Sequence, residues 1–243
     1  MTALRAAALV LLAAPAWAAA PADDLAWVQR QGALVPVDAP LRDAGNRPAT
    51  LRQVAGGLPL LLAPGYFRCP NLCGVEREDL ADALARSGMV AGRDYAVAVM
   101  SIDPAEGPAD AAAVPQGGWH GLTGPAASVG AIADAVGFRS RFDPAERQFL
   151  HPSGVAILSP AGTVSGYVLG VGYDPAALRD GVRVARAGLT AAANPVLLLC
   201  FHFDAVTGRY TLAVEKVLRL GAALTVLAIG GAMAWLHRRQ RRL

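Results

Sequence analysis

Hydrophobic positions along the chain change period several times between two uniformly apolar ends. Residues 6–14 are apolar throughout, and residues 220–236 form a second uncharged stretch of 17. After a polar lead segment over about 23–55, Leu34-Val35-Pro36-Val37 and Pro40-Leu41 predict short edge strands, where a missing backbone donor does no harm. The short apolar run at 58–63 fits a buried strand. Residues 75–87 predict a helix, with Leu80 and Leu84 four apart and Gly88 as its stop. Residues 95–102 alternate and are rich in β-branched side chains, so they predict a strand. Val129, Ile132, Ala133 and Val136 share one face of a second helix over 128–136, ended by Gly137. Two strands, 154–158 and 163–169, flank the turn Ser159-Pro160-Ala161-Gly162. Asp174-Pro175 opens a third helix over about 175–187. A last strand pair, 196–203 and 209–214, flanks Asp204-Ala205-Val206-Thr207-Gly208.

The order strand, helix, strand, helix, hairpin, helix predicts an α/β domain built as a thioredoxin-like sheet with flanking helices. The last strand pair reads as an appended β-hairpin, followed by a C-terminal transmembrane helix. The expected division is a signal peptide at 1–18, the domain at 19–192, the hairpin at 193–216, the span at 217–236 and a basic tail at 237–243.

Composition refines this picture at the ends. The chain is 54% hydrophobic and 17% charged, too apolar to remain disordered. Its net charge of +3 is unevenly placed: residues 19–215 hold 15 arginines against all 19 acids, a balance of −4. A mildly acidic body excludes a nucleic-acid binder, which needs a basic face on its folded part. Arg5, the apolar run after it and Ala16-Trp17-Ala18 fit a secretory signal with its cleavage site. At the other end, His237 and four arginines follow the apolar stretch directly, which orients that tail to the cytoplasm. The two ends agree on one topology: a single C-terminal span in the inner (cytoplasmic) membrane, with the globular domain in the periplasm.

The chemistry centres on three cysteines and four histidines. Cys69 and Cys73 are four apart. With a helix beginning near Pro70, they share one face of its first turn, where backbone N–H groups favour thiolate. Such a pair can close as a stapling disulfide, cycle as a redox pair or bind a soft metal. A loop so small gains little chain entropy from closure, which argues against a purely structural bridge. Copper held by two thiolates calls for a third ligand, and imidazole suits both of its oxidation states. His237 lies in the tail on the wrong side of the membrane. His120 follows Trp119 at a strand start and reads as a core or rim residue. His151 precedes the strand at 154–158, in a loop beside the cysteine turn of a thioredoxin-like sheet. Cys200 and His202 share one face of a strand; Cys200 fits a buried apolar position, and the pair is also a candidate second soft site. No paired carboxylates, Ser/His/Asp order or phosphate-binding glycine loop stands out, so no hydrolase or other conventional enzyme is expected.

Several of these segments together resemble the Sco/SenC family. They are Tyr66-Phe67-Arg68-Cys69-Pro70-Asn71-Leu72-Cys73-Gly74, Ser101-Ile102-Asp103-Pro104, Trp119-His120-Gly121-Leu122-Thr123-Gly124 and Phe149-Leu150-His151. Leu198-Leu199-Cys200-Phe201-His202-Phe203-Asp204 with Thr207-Gly208-Arg209-Tyr210 is similar to the extension of a bacterial branch that has a C-terminal span. The resemblance implies a thioredoxin fold and binding of copper, Cu(I) or Cu(II), by Cys69, Cys73 and His151. It implies service to the dinuclear copper centre of cytochrome oxidase, by copper delivery or by thiol reduction. The partners it implies are the copper-bearing oxidase subunit, a copper donor and a periplasmic thiol reductant. The chain departs from better-known members in its C-terminal anchor, in Asn71 where they have Asp, and in the near absence of a helix after Pro104. Three functions are compared: a copper metallochaperone, a thiol–disulfide oxidoreductase using Cys69 and Cys73 as a redox pair, and a copper or redox sensor. The short tail offers the sensor no signalling domain.

Overall fold

The computed structural model describes residues 25–70, 73–115 and 117–191, the short strands 203–204 and 209–210, and residues 221–231, 235, 238 and 240 near the C-terminus. The domain is organised by one mixed sheet. Its strands are β1 (Leu41–Asp43), β2 (Pro48–Ala49), β3 (Leu60–Gly65), β4 (Ala96–Ser101), β5 (Trp119–Thr123), β8 (Gly154–Leu158) and β9 (Val164–Leu169), in the order β2-β1-β5-β4-β3-β8-β9. β3, β4 and β5 run parallel, while β8 is antiparallel to β3 and β9 antiparallel to β8. The helices are α1 (Leu51–Ala55), α2 (Cys73–Arg86), α3 (Ala126–Ala135) and α4 (Pro175–Arg186).

The continuous apolar runs of β3 and β4 follow from burial on both faces. Leu60, Leu62, Ala96, Ala98 and Met100 point to one side, against Leu51 of α1 and Val129 and Ile132 of α3. Leu61, Ala63, Val97 and Val99 point to the other, against Leu80 and Leu84 of α2 and Leu178 and Val182 of α4. Strand alternation thus feeds two cores, and the fold has three layers. This is the thioredoxin-like arrangement expected from the order of elements.

Some expectations need correction. Cys69 and Pro70 are not helical; the helix is described from Cys73 onward, and residues 71–72 lie outside the described residues. The backbone N–H groups of Phe67 and Arg68 bond a side-chain carboxylate, which holds the approach to the helix as a loop. A hairpin absent from the sequence reading, β6 (Arg141–Asp143) with β7 (Gln148–Leu150), stands apart from the main sheet. Its strands are three residues each, too short to show a period. After Pro104 only a short 3-10 turn, Asp110–Ala113, is found, in line with the sequence.

Within the expected hairpin at 193–216, Phe203–Asp204 and Arg209–Tyr210 pair antiparallel; Cys200 and His202 lie outside the described residues. Residues 221–231 are helical, yet among the described residues no helix is long and apolar enough to cross a membrane. The remaining positions of the expected span at 217–236 and the whole of segment 1–18 lie outside the described residues, apart from residue 235.

Candidate metal centre

Sheet geometry brings the two ligand-bearing segments together. β3 ends at Gly65, and the chain continues through Tyr66, Phe67 and Arg68 to Cys69 before entering α2 at Cys73. β8 runs antiparallel to β3, with Leu62 opposite Ala156, so the residues preceding Gly154 lie at the end of β3 where the cysteine loop departs. His151 therefore meets the cysteines although it is 78 residues from Cys73. A Cβ added at Gly65 would lie 3.8 Å from the ring's Cε1.

Cys69 and Cys73 are joined by a disulfide with their Cα atoms 6.0 Å apart. Cys73 is 7% exposed in the first turn of α2, and Cys69 is half-buried. His151 Nε2 lies 3.2 Å from Cys73 Sγ, and its Nδ1 lies 3.2 Å from the Pro152 carbonyl oxygen. A carbonyl only accepts, so that contact assigns the proton to Nδ1 and leaves the Nε2 lone pair facing the sulfur. Burial lowers the His151 pKa below its ordinary value and so favours neutral imidazole, while the Pro152 carbonyl, which accepts from the ring, opposes this in part. The rings of Tyr66 and Phe138 flank it, each with its centroid 5.8 Å away. The ligand atoms of Cys69, Cys73 and His151 all lie within 4.8 Å of one another.

Two buried carboxylates hold the segments that carry these residues. Glu106, its side chain fully buried, accepts from Phe67 N (2.8 Å), Arg68 N (2.6 Å) and Ser101 Oγ (2.6 Å). Glu76, one turn beyond Cys73, accepts from Gly154 N (2.7 Å) and from the Tyr173 hydroxyl (3.0 Å). Burial pushes the Glu76 carboxyl upward against those hydrogen bonds, and burial with the adjacent Glu76 charge drives the Tyr173 phenol upward as well. From another side of the histidine loop, Trp27 Nε1 donates to the Ser153 carbonyl (3.2 Å). Gly154 has φ +137°, and a Cβ there would lie 2.9 Å from Leu169 Cα, so the start of β8 requires glycine.

Of the predicted site residues, Cys69, Cys73 and His151 converge. His120 sits in β5 opposite Ala98, half-buried and outside this group. Glu76 and Glu106 were not singled out from sequence. Glu76 had a signal in its spacing: with Cys73, Leu80 and Ala83 it forms the buried stripe of α2. Glu106, in an irregular loop, had none. The arrangement suits two kinds of chemistry. Reduced, it offers two soft thiolates and an imidazole to one ion; oxidised, it offers a disulfide whose Cys69 end is less buried than its Cys73 end, the side from which a partner thiol can attack.

Comparison with known proteins places this geometry. No curated protein matches the chain. Among solved structures, it is similar to two proteins of Aquifex aeolicus VF5. One, described as a putative electron transfer protein, is 24% identical with a TM-score of 0.60, covering 68% of this chain and 98% of that one. The other, described as a putative electron transport protein, is 25% identical with a TM-score of 0.55, covering 65% and 99%. Arabidopsis thaliana ScoI, solved with copper bound, shares the fold at 19% identity and a TM-score of 0.53, covering 65% and 99%. The family model described as SCO1/SenC matches residues 41–184, more than half of the chain and both ligand-bearing segments. The chain belongs to the SCO1/SenC family.

Proposed function

We propose that this protein is an exported, membrane-anchored copper metallochaperone, of the bacterial branch with a C-terminal span, that serves assembly of the dinuclear copper centre of cytochrome oxidase. One observation carries the reading: two sulfurs and one imidazole nitrogen, from segments far apart in sequence, lie within 4.8 Å of one another. Copper is the cargo, and Cys69, Cys73 and His151 are its ligands. Three ligands at a half-buried site leave it undercoordinated, so a partner's ligand can enter before these leave. The Arabidopsis ScoI structure shows that this fold holds copper elsewhere.

Loading requires the disulfide to open. A partner dithiol gives two electrons and two protons, its own sulfurs close into a disulfide, and Cys69 and Cys73 become thiols. Binding of Cu(I) then displaces the thiol protons. The burial of His151 favours the neutral form in which it can coordinate. Export by the segment at 1–18, anchoring by 217–236 and a periplasmic domain follow the sequence features at the two ends. Cys200 and His202, close to the proposed membrane surface, are a candidate second soft site.

The disulfide itself supports a second reading, a thiol–disulfide oxidoreductase that keeps the copper-site cysteines of a partner reduced. His151 separates the two, because thiol exchange does not need the imidazole. Native mass spectrometry of the full-length protein with Cu(I) tests the proposal. One copper is expected on reduced protein and none on oxidised protein, with loss after Cys69→Ala and weakening after His151→Ala. Unchanged stoichiometry in Cys69→Ala would overturn the site. Exchange activity that survives His151→Ala in a protein that never holds copper would favour the oxidoreductase.

A further inference from the structure

We infer that Glu76 is a positioning residue that ties the His151 loop to the cysteine helix, so that the third ligand is presented by a carboxylate that never touches the metal. The inference rests on the copper reading and deepens it. Cys73 and Glu76 are three apart on the buried stripe of α2, so one rigid turn carries both. The Glu76 carboxylate reaches across to Gly154 N at 2.7 Å, three residues beyond His151. Tyr173, preceding α4, donates its hydroxyl to the same oxygen and fixes the carboxylate from behind. One helix turn thus fixes a sulfur directly and an imidazole through one buried carboxylate, which binds the histidine loop at Gly154 N and at the Ser153 side chain.

Other links to α2 do not replace this bond. Asp79 accepts from Gly172 N and Tyr173 N, which secures the loop before α4 and not the histidine loop. Trp27 holds the Ser153 carbonyl from the N-terminal segment and not from α2. Without Glu76, the Gly154 N–H is buried with no acceptor, and the loop must move to find one. His151 moves with it, while Cys73 stays on the helix.

The test compares full-length wild type, Glu76→Leu, Glu76→Gln, His151→Ala and the double variant Glu76→Leu/His151→Ala. Cu(I) affinity is read by competition with a colorimetric chelator. Two readouts independent of affinity are added: nitrogen coupling in the Cu(II) paramagnetic resonance spectrum, and backbone hydrogen exchange of the 152–155 segment in the metal-free protein. Removing a hydrogen-bonding partner behind a metal ligand costs roughly 10–100-fold in affinity. That loss is expected in Glu76→Leu, together with weakened nitrogen coupling and faster exchange at Gly154. Glu76→Gln keeps an acceptor oxygen and restores most of the affinity. In the His151→Ala background, Glu76→Leu causes no further loss. Equal losses in both backgrounds would make Glu76 merely structural and overturn the inference, as would wild-type affinity with full nitrogen coupling in Glu76→Leu. Should Glu76→Leu fail to fold, Glu76→Asp withdraws the carboxylate by one methylene and is judged by the same two comparisons. Failure of wild type to bind Cu(I) would sink the copper reading instead, a result separate from any difference among the Glu76 variants.

Discussion

Replacing Glu106 shows how strongly the cysteine loop depends on one buried side chain. Its carboxylate accepts from Phe67 N, Arg68 N and Ser101 Oγ at 2.6–2.8 Å, and none of the side chain reaches solvent. Glu106→Ala leaves the donors of Phe67 and Ser101 buried without that acceptor, at about 1–3 kcal/mol each. The Arg68 N–H is only partly buried and finds water at lower cost. The expected loss is about 3–5 kcal/mol, a large share of the roughly 5–15 kcal/mol available to a domain. At about 2–4 °C per kcal/mol for a domain of this size, melting falls by roughly 6–20 °C. Glu106→Gln is milder: its carbonyl oxygen takes the place of the oxygen shared by Phe67 and Ser101, and its NH₂ faces the half-exposed Arg68 N–H. About 1–2 kcal/mol is expected for it. Asp180→Asn, in the exposed pair with Arg183, is the control and stays within about 0.5 kcal/mol. Thermal and urea unfolding of the oxidised full-length protein, followed by circular dichroism, gives the ranking Ala, then Gln, then control. A Glu106→Ala protein that melts with the control would show that this carboxylate does not hold the loop.

Gly154→Ala should lower the melting temperature and weaken Cu(I) binding together, because a Cβ at φ +137° presses on Leu169 where the histidine loop enters β8; the strain is of order 1–3 kcal/mol, and an unchanged melt with unchanged binding contradicts this. The metal-free protein should lose stability through His151 as pH falls below about 6.5, since the unfolded chain takes the proton first and the buried imidazole resists it. Glu76, raised by burial, acts in the opposite sense as pH rises above its unfolded value, so the informative quantity is wild type minus His151→Gln between pH 7 and 5. Parallel curves would remove His151 as the source. In the reduced protein, iodoacetamide should alkylate half-buried Cys69 faster than Cys73, which is 7% exposed; equal rates would contradict the buried placement of Cys73.

Much of the fold was legible because it depends on periodicity. β3, β4, β8, β9 and the helices α2 to α4 fall within two residues of their expected ends, since apolar runs, helix stops and Asp174-Pro175 are local signals. The convergence of His151 with the cysteines was not local. It was reached through the resemblance and through the expected neighbourhood of two loops, and its physical cause is the antiparallel register of β8 on β3. Glu106 was illegible because a carboxylate in an irregular loop carries no pattern, and its partners lie up to 39 residues away. The β6–β7 hairpin was missed for a related reason: three-residue strands held by the ring pair Phe142 and Phe149 leave no alternation to detect. Pro70 suits a first helical position, but neither it nor Cys69 is helical, and the amides of Phe67 and Arg68 just before them are taken by Glu106.

X-ray absorption spectroscopy of reduced, Cu(I)-loaded full-length protein examines the shared site most directly. The expected shell holds two sulfurs and one nitrogen, and His151→Ala removes the nitrogen while keeping both sulfurs. A sulfur-only shell in the wild type, or a nitrogen that persists after His151→Ala, would contradict a centre built from Cys69, Cys73 and His151.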